Sequence, residues 1–184
     1  MTFPRPAVLA ATLILSTVTA AGAAPAARPT PSSTLARTAA PAAPAVRWRE
    51  WDNGLSEATQ SGKPVLVDVY TDWCGWCKRM ERDVYSDARV RGYLDQHFVV
   101  VKLNAEAPNE VHYQTRAIAM SGIAEGFRVT GYPTTVFLRP SGDHLLNVPG
   151  YVPADKFLLV LRFIGDGAME RGVSFADFEK SAGR

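Results

Sequence analysis

Two stretches of the chain are apolar on both faces of an extended backbone. Val65-Leu66-Val67-Asp68-Val69-Tyr70, running on to Thr71, reads as a buried strand, and His97 to Asn104 reads as a second, centred on Phe98-Val99-Val100-Val101. Between them the period changes. Cys77, Met80, Val84, Ala88 and Arg91 recur at helical spacing, with Val90 and Leu94 adding to the buried side, and predict one helix from about Gly75 to Gln96. A helix between two strands makes those strands parallel. Thr134 to Leu138 is a third strand, Pro140-Ser141-Gly142-Asp143 a hairpin turn, and His144 to Val148 the return strand.

The flanks are helical. Leu55 to Gln60 is a short helix stopped by Ser61-Gly62-Lys63-Pro64. Pro153 opens a helix that is apolar at Phe157, Leu158, Leu161, Phe163 and Ile164 and weakened at its end by Gly165 and Gly167. Ser174 caps a last short helix to Lys180, with Phe175 and Phe178 packing back. Trp48 and Trp51 read as caps on an edge of the core. The least regular part is residues 105–131: a loop over Ala105 to Asn109, one or two short helices between Tyr113 and Arg128, then a turn at Thr130-Gly131-Tyr132-Pro133. The sequence describes an α/β domain without an internal repeat.

The N-terminal quarter follows a different pattern. Arg5 precedes an apolar run from Ala7 to Leu15, and Ala21-Gly22-Ala23 has the small-x-small form of a cleavage site. Residues 1–23 are therefore expected to be a signal peptide directing export, the alternative being an uncleaved membrane anchor. No cysteine lies there to carry a lipid. Residues 24–45, dominated by Ala, Pro, Ser and Thr, form an Ala/Pro-rich linker unable to bury a core, which leaves 46–184 as the domain. The net charge of +2 misleads, because Arg5, Arg28 and Arg37 lie in an N-terminal segment with no acid, and the remainder carries −1. A near-neutral domain gives no electrostatic case for nucleic acid.

The chemistry centres on Trp73-Cys74-Gly75-Trp76-Cys77-Lys78, which holds both cysteines of the chain at a strand–helix junction. Two thiols there form a redox site, although zinc sites share the spacing. Cys74 sits where the helix begins, and unpaired N–H groups and the helix dipole favour a thiolate. It is the expected nucleophile. Cys77, one turn further in and expected to be more buried, would resolve the mixed disulfide. Gly75 keeps the loop free of bulk, and Trp76 faces solvent or a partner. Asp68 interrupts an otherwise apolar strand, and a buried carboxylate has a raised pKa. His97, His112 and His144 are scattered, with no pair at metal spacing.

Four separated points, in order, resemble the thioredoxin superfamily over about residues 48–165: Val65 to Asp68 leading to the cysteine motif, Val101-Lys102-Leu103-Asn104, Gly131-Tyr132-Pro133-Thr134, and Gly150 before the last main helix. The resemblance implies a thioredoxin-like fold, a central mixed sheet flanked by helices, with the cysteine pair at a helix N-terminus. It implies a redox-active Cys74–Cys77 disulfide with no other cofactor and no metal. Asp68 takes the place of the buried acid that accepts the Cys77 proton, and Lys102 that of a lysine near the acid. Pro133 is implied to be cis, exposing the Tyr132 backbone to an extended substrate, with Trp73 flanking the pocket.

Two features depart from thioredoxin itself: Gly-Trp between the cysteines instead of Gly-Pro, and a longer segment from about 105 to 128. The chain is in these respects similar to exported, periplasmic thioredoxin-like reductases. That likeness implies a thiol–disulfide oxidoreductase that reduces disulfide-containing proteins and is recharged by a membrane thiol electron donor. A disulfide oxidase or isomerase remains the alternative within the class. Outside it stands a copper(I) carrier, using both thiolates and either His112 or His144.

Overall fold

The computed structural model describes residues 45–182. The expected signal peptide and all but the last residue of the linker lie outside them.

Helix α1 (Trp51–Ser61) leads into β1 (Val65–Tyr70), followed by α2 (Gly75–Met80), a π-helical turn (Glu81–Tyr85), α3 (Ala88–His97) and β2 (Val99–Asn104). A small hairpin of β3 (Glu110–Tyr113) and β4 (Arg116–Ala119) comes next, then α4 (Met120–Gly126). Strands β5 (Thr134–Leu138) and β6 (His144–Pro149), then α5 (Ala154–Gly165) and α6 (Phe175–Ala182), complete the domain. The main sheet has the order β2-β1-β5-β6, with β1 parallel to β2 and antiparallel to β5, and β6 antiparallel to β5. It is the expected mixed sheet.

Strand alternation divides the core. Val65, Val67 and Val69 point into a cluster with Trp51, Ile123 and Phe127, beneath α1, the hairpin and α4. Leu66 points the other way, into a cluster with Met80, Val84, Tyr85, Leu94, Phe157 and Leu161 from α2, the π-helical turn, α3 and α5. Period-2 alternation puts Asp68 on this second face, with the helix that starts at the cysteines. On the first face α1 approaches the sheet closely at Gly54, where a Cβ would stand 2.3 Å from Val101 Cγ2.

Three expectations are corrected. The single helix from Gly75 to Gln96 is broken at Ser86-Asp87, because the Asp87 carboxylate accepts the N–H groups of Arg89 (2.8 Å) and Val90 (3.3 Å) and so starts a new helix. Residues 105–131 contain one short helix, and the rest of the regular structure there is the β3–β4 hairpin. Its central turn residues Gln114 and Thr115 both have positive φ (49° and 78°), a conformation usually signalled by Asn or Gly. Trp51 is not an edge cap. It is fully buried in the first turn of α1, donates its indole N–H to the His112 carbonyl at 2.9 Å, and packs against Tyr113 and Phe127.

Candidate active site

The fold puts the end of β1, the first turn of α2 and the start of β5 at one edge of the sheet. Cys74 is the N-cap of α2, and its sulfur is bonded to that of Cys77. The Cys77 backbone N–H donates to Cys74 Sγ at 3.0 Å. An N-cap sulfur accepting an otherwise unpaired helix N–H is the environment that stabilises a thiolate. The expected difference in burial is not found, since Cys74 is 3% exposed and Cys77 8%. The disulfide and the cap contact draw the Cys74 sulfur inward, so its placement at the helix terminus, not its exposure, sets it apart. A Cβ on Gly75 would meet nothing, so packing does not require glycine there.

Behind the motif, Asp68 is 4% exposed. Burial pushes its carboxyl up to about 6, against the opposing pull of the Lys102 ammonium and the Tyr85 hydroxyl. Lys102 lies beside the acid, as the resemblance implies. Its Nζ lies 2.8 Å from Glu81 Oε2 and 3.9 Å from Asp68 Oδ2, above the rings of Trp48 and Tyr70. Tyr85, itself buried, donates its hydroxyl to Asp68 Oδ1 at 3.3 Å. Sequence reasoning misses Glu81 and Tyr85 although they stand four and eight residues after Cys77, on the flank of the stripe through Met80 and Val84, because nothing in the sequence shows which groups meet them there. Both lie in the π-helical turn, where Tyr85 meets the acid and Glu81 meets Lys102.

The outer face is aromatic. Trp73 is 67% exposed, donates its indole N–H to the Glu106 carboxylate and lies edge-on to Tyr132. Trp76 is 54% exposed and leans on Tyr151 with ring centroids 5.6 Å apart. The Arg79 guanidinium lies about equally far from both rings, at 5.1 and 5.2 Å. The Tyr132–Pro133 peptide bond is cis, as the resemblance implies, and the Pro133 carbonyl accepts the N–H of Gly150 at 2.8 Å. Trp76, Tyr132, Pro133, Gly150 and Tyr151 line a cleft of about 320 Å³ beside the disulfide. A larger cavity of about 770 Å³ lies between the β3–β4 hairpin and α4, lined by no residue of the cysteine motif, so size does not mark the reactive site.

The histidines weighed as copper ligands are engaged elsewhere. His112 pairs with Asp52, and His144 stacks on Phe127 and bonds to Asn147. Among the described residues no group of three or more His, Cys, Asp and Glu side chains is arranged to hold a metal ion. No helix among them is long and apolar enough to cross a membrane.

Comparison with known proteins gives the same picture. The chain is 37% identical over 114 residues to the thiol:disulfide interchange protein DsbD of Ralstonia nicotianae, a match covering 61% of this chain and 17% of that protein. It is 34% identical over 105 residues to DsbD 1 of Pseudomonas aeruginosa, covering 56% of this chain and 16% of that one. The chain thus spans about one sixth of the length of these curated relatives. Among solved structures, a thioredoxin from Thermus thermophilus superposes with a TM-score of 0.56 at 28% identity, covering 67% of this chain and 92% of that one. A thioredoxin-fold protein from Helicobacter pylori gives 0.55 at 26% identity, covering 66% and 80%. The model of the thioredoxin-like domain matches residues 51–165, from the buried Trp51 to the end of α5, and the chain belongs to that family.

Proposed function

We propose that the domain is an exported thiol–disulfide oxidoreductase working mainly as a reductase of protein disulfides. The observation that carries this reading is the Cys74 sulfur at the N-cap of α2, accepting the Cys77 N–H and bonded to a second cysteine one turn on. In the reduced protein the Cys74 thiolate attacks one sulfur of a substrate disulfide. A Cys74–substrate disulfide forms, and the other substrate sulfur leaves as a thiolate and takes a proton from solvent. Cys77 then gives its proton to the Asp68 carboxylate and attacks Cys74 Sγ. The Cys74–Cys77 bond forms, the second substrate thiolate leaves and takes a proton from solvent, and the Asp68 proton returns to solvent. The substrate gains two electrons and two protons, and the cysteine pair loses two electrons and two protons, that of Cys74 having gone to solvent when its thiolate formed.

The raised pKa of Asp68 suits it to accepting a proton near neutral pH. The aromatic cleft beside the sulfurs fits an extended polypeptide whose side chains lie against Trp76 and Tyr151. The oxidised pair then needs a dithiol donor, for which a membrane-borne thiol protein is the proposed source. The name of the interchange proteins that the chain resembles supports exchange between proteins. Export rests on the pattern of residues 1–23.

The test is reduction of a protein disulfide by the full chain with dithiothreitol as donor. Catalytic turnover that Cys74→Ser abolishes is expected. Activity persisting in Cys74→Ser would overturn the mechanism.

A further inference from the structure

We propose that Tyr85 is a positioning residue for thiol exchange: its hydroxyl holds the Asp68 carboxylate in place and in the ionised form that accepts the Cys77 proton. The inference rests on the reading of Asp68 as that acceptor.

Tyr85 stands eight residues after Cys77, on the flank of the helical stripe through Cys77, Met80 and Val84. The turn over Glu81–Tyr85 is π-helical, and Val84 and Tyr85 within it are both buried, at 0% and 3% exposure. A π-helical turn is uncommon, and this one carries a phenol that meets a buried acid.

The contacts divide the acid's two oxygens. Oδ1 accepts the Tyr85 hydroxyl at 3.3 Å, and Oδ2 faces the Lys102 ammonium at 3.9 Å. Lys102 is shared, because its nearer partner is Glu81 at 2.8 Å. Among the described residues the phenol supplies the one side-chain hydrogen bond to Asp68. The ring is clamped edge-on by Trp48 at 4.9 Å and Phe157 at 5.7 Å, so the hydroxyl is aimed and not free to swing. Burial, then the charge of Asp68, raises the phenol's own pKa well above its ordinary value, so it remains a donor across the working range.

The charged and titratable groups acting on the acid are therefore Lys102 from β2 and Glu81 and Tyr85 from the π-helical turn. The opposite residue on β5 is Thr135, which does not titrate. A donor to the ionised carboxylate favours ionisation. Removing it raises the pH at which Asp68 becomes competent to take a proton.

The experiment follows the reduced full chain reacting with a thionitrobenzoate disulfide, which releases one coloured thiolate when Cys74 attacks and a second when Cys77 resolves the adduct. Both phases are recorded by stopped flow across pH for the wild type, Tyr85→Phe, Asp68→Asn and the double variant. Phenylalanine keeps the ring and its packing. The first phase of Tyr85→Phe is expected to stay within twofold of wild type. The acid limb of its second phase is expected to move up by about 0.7 pH unit, about fivefold in rate on that limb, as loss of one ordinary hydrogen bond implies. Asp68→Asn removes the limb, and adding Tyr85→Phe to it changes nothing further. If Asp68→Asn removes the limb while Tyr85→Phe overlays wild type, the role of Tyr85 is wrong and that of Asp68 stands. If Asp68→Asn also overlays wild type, the proton-acceptor reading fails and this inference with it. A purely structural role for the hydroxyl would change stability without moving the limb.

Discussion

Replacing Asp68 with Asn should stabilise the oxidised protein at pH 8 and leave it unchanged near pH 4. Asp68 ionises at about 6 in the fold, against 3.8 for an ordinary aspartate, because burial disfavours its charge. A carboxyl that holds its proton more tightly when folded lowers stability as pH rises, here from about 4 to about 6, with the full penalty above that range. A separation of roughly two pH units corresponds to about 3 kcal/mol. Asparagine carries no charge to desolvate, and its carbonyl can still accept the Tyr85 hydroxyl. Lys102 keeps its contact with Glu81. For a domain of this size the gain is a rise in Tm of about 10 °C. Thermal or urea unfolding of both oxidised proteins at pH 4 and pH 8 measures it. Equal effects at the two pH values, or loss of stability at pH 8, would show that the acid is not retained at an energetic penalty. The stabilised variant is also expected to resolve mixed disulfides more slowly, so stability and activity move in opposite directions.

Other substitutions probe the sulfurs, the cleft and the packing. Cys77→Ser should accumulate a mixed disulfide between Cys74 and substrate, visible as an adduct on a non-reducing gel. The adduct should disappear when Cys74→Ser is added to Cys77→Ser, and its persistence would mean that Cys74 is not the attacking sulfur. Trp76→Ala removes the exposed indole beside Tyr151 and is expected to lower kcat/KM for a protein disulfide by roughly fivefold or more. The rate with a small aryl disulfide should stay within twofold, and equal losses on both would place Trp76 in the chemistry instead of the contact surface. Gly54→Ala brings a Cβ to 2.3 Å from Val101 Cγ2 and should destabilise the domain by about 1–3 kcal/mol in urea unfolding, without altering the exchange rate of the remaining folded protein.

The residues legible from sequence share a physical cause. Strands β1, β2 and β5 are buried on both faces, so their β-branched runs stand out, and Asp68 is conspicuous because it breaks such a run. The cysteine pair is identifiable by type and spacing, and Pro133 through the resemblance to the thioredoxin superfamily. The β3–β4 hairpin is hidden because its strands are short and half exposed and its turn uses Gln114 and Thr115 in place of Asn or Gly. Glu81 and Tyr85 are hidden because their contacts with Lys102 and Asp68 depend on how the turn that carries them packs against β1 and β2, which helical periodicity does not show. Asp87 is an available signal for the second helix start, overridden by the apolar stripe running across it. The exposure of Trp76 can be read from its place between the cysteines. Its packing on Tyr151 cannot, since that contact depends on how a loop far downstream folds back.

The reduction potential of the Cys74–Cys77 pair decides whether the domain gives electrons to protein disulfides or takes them from protein thiols. It is measured by equilibrating the protein with dithiothreitol or glutathione mixtures and titrating the free thiols. A reductase of protein disulfides predicts a value near that of thioredoxin, about −270 mV. A value near about −120 mV, the range of a strong disulfide donor, would contradict it.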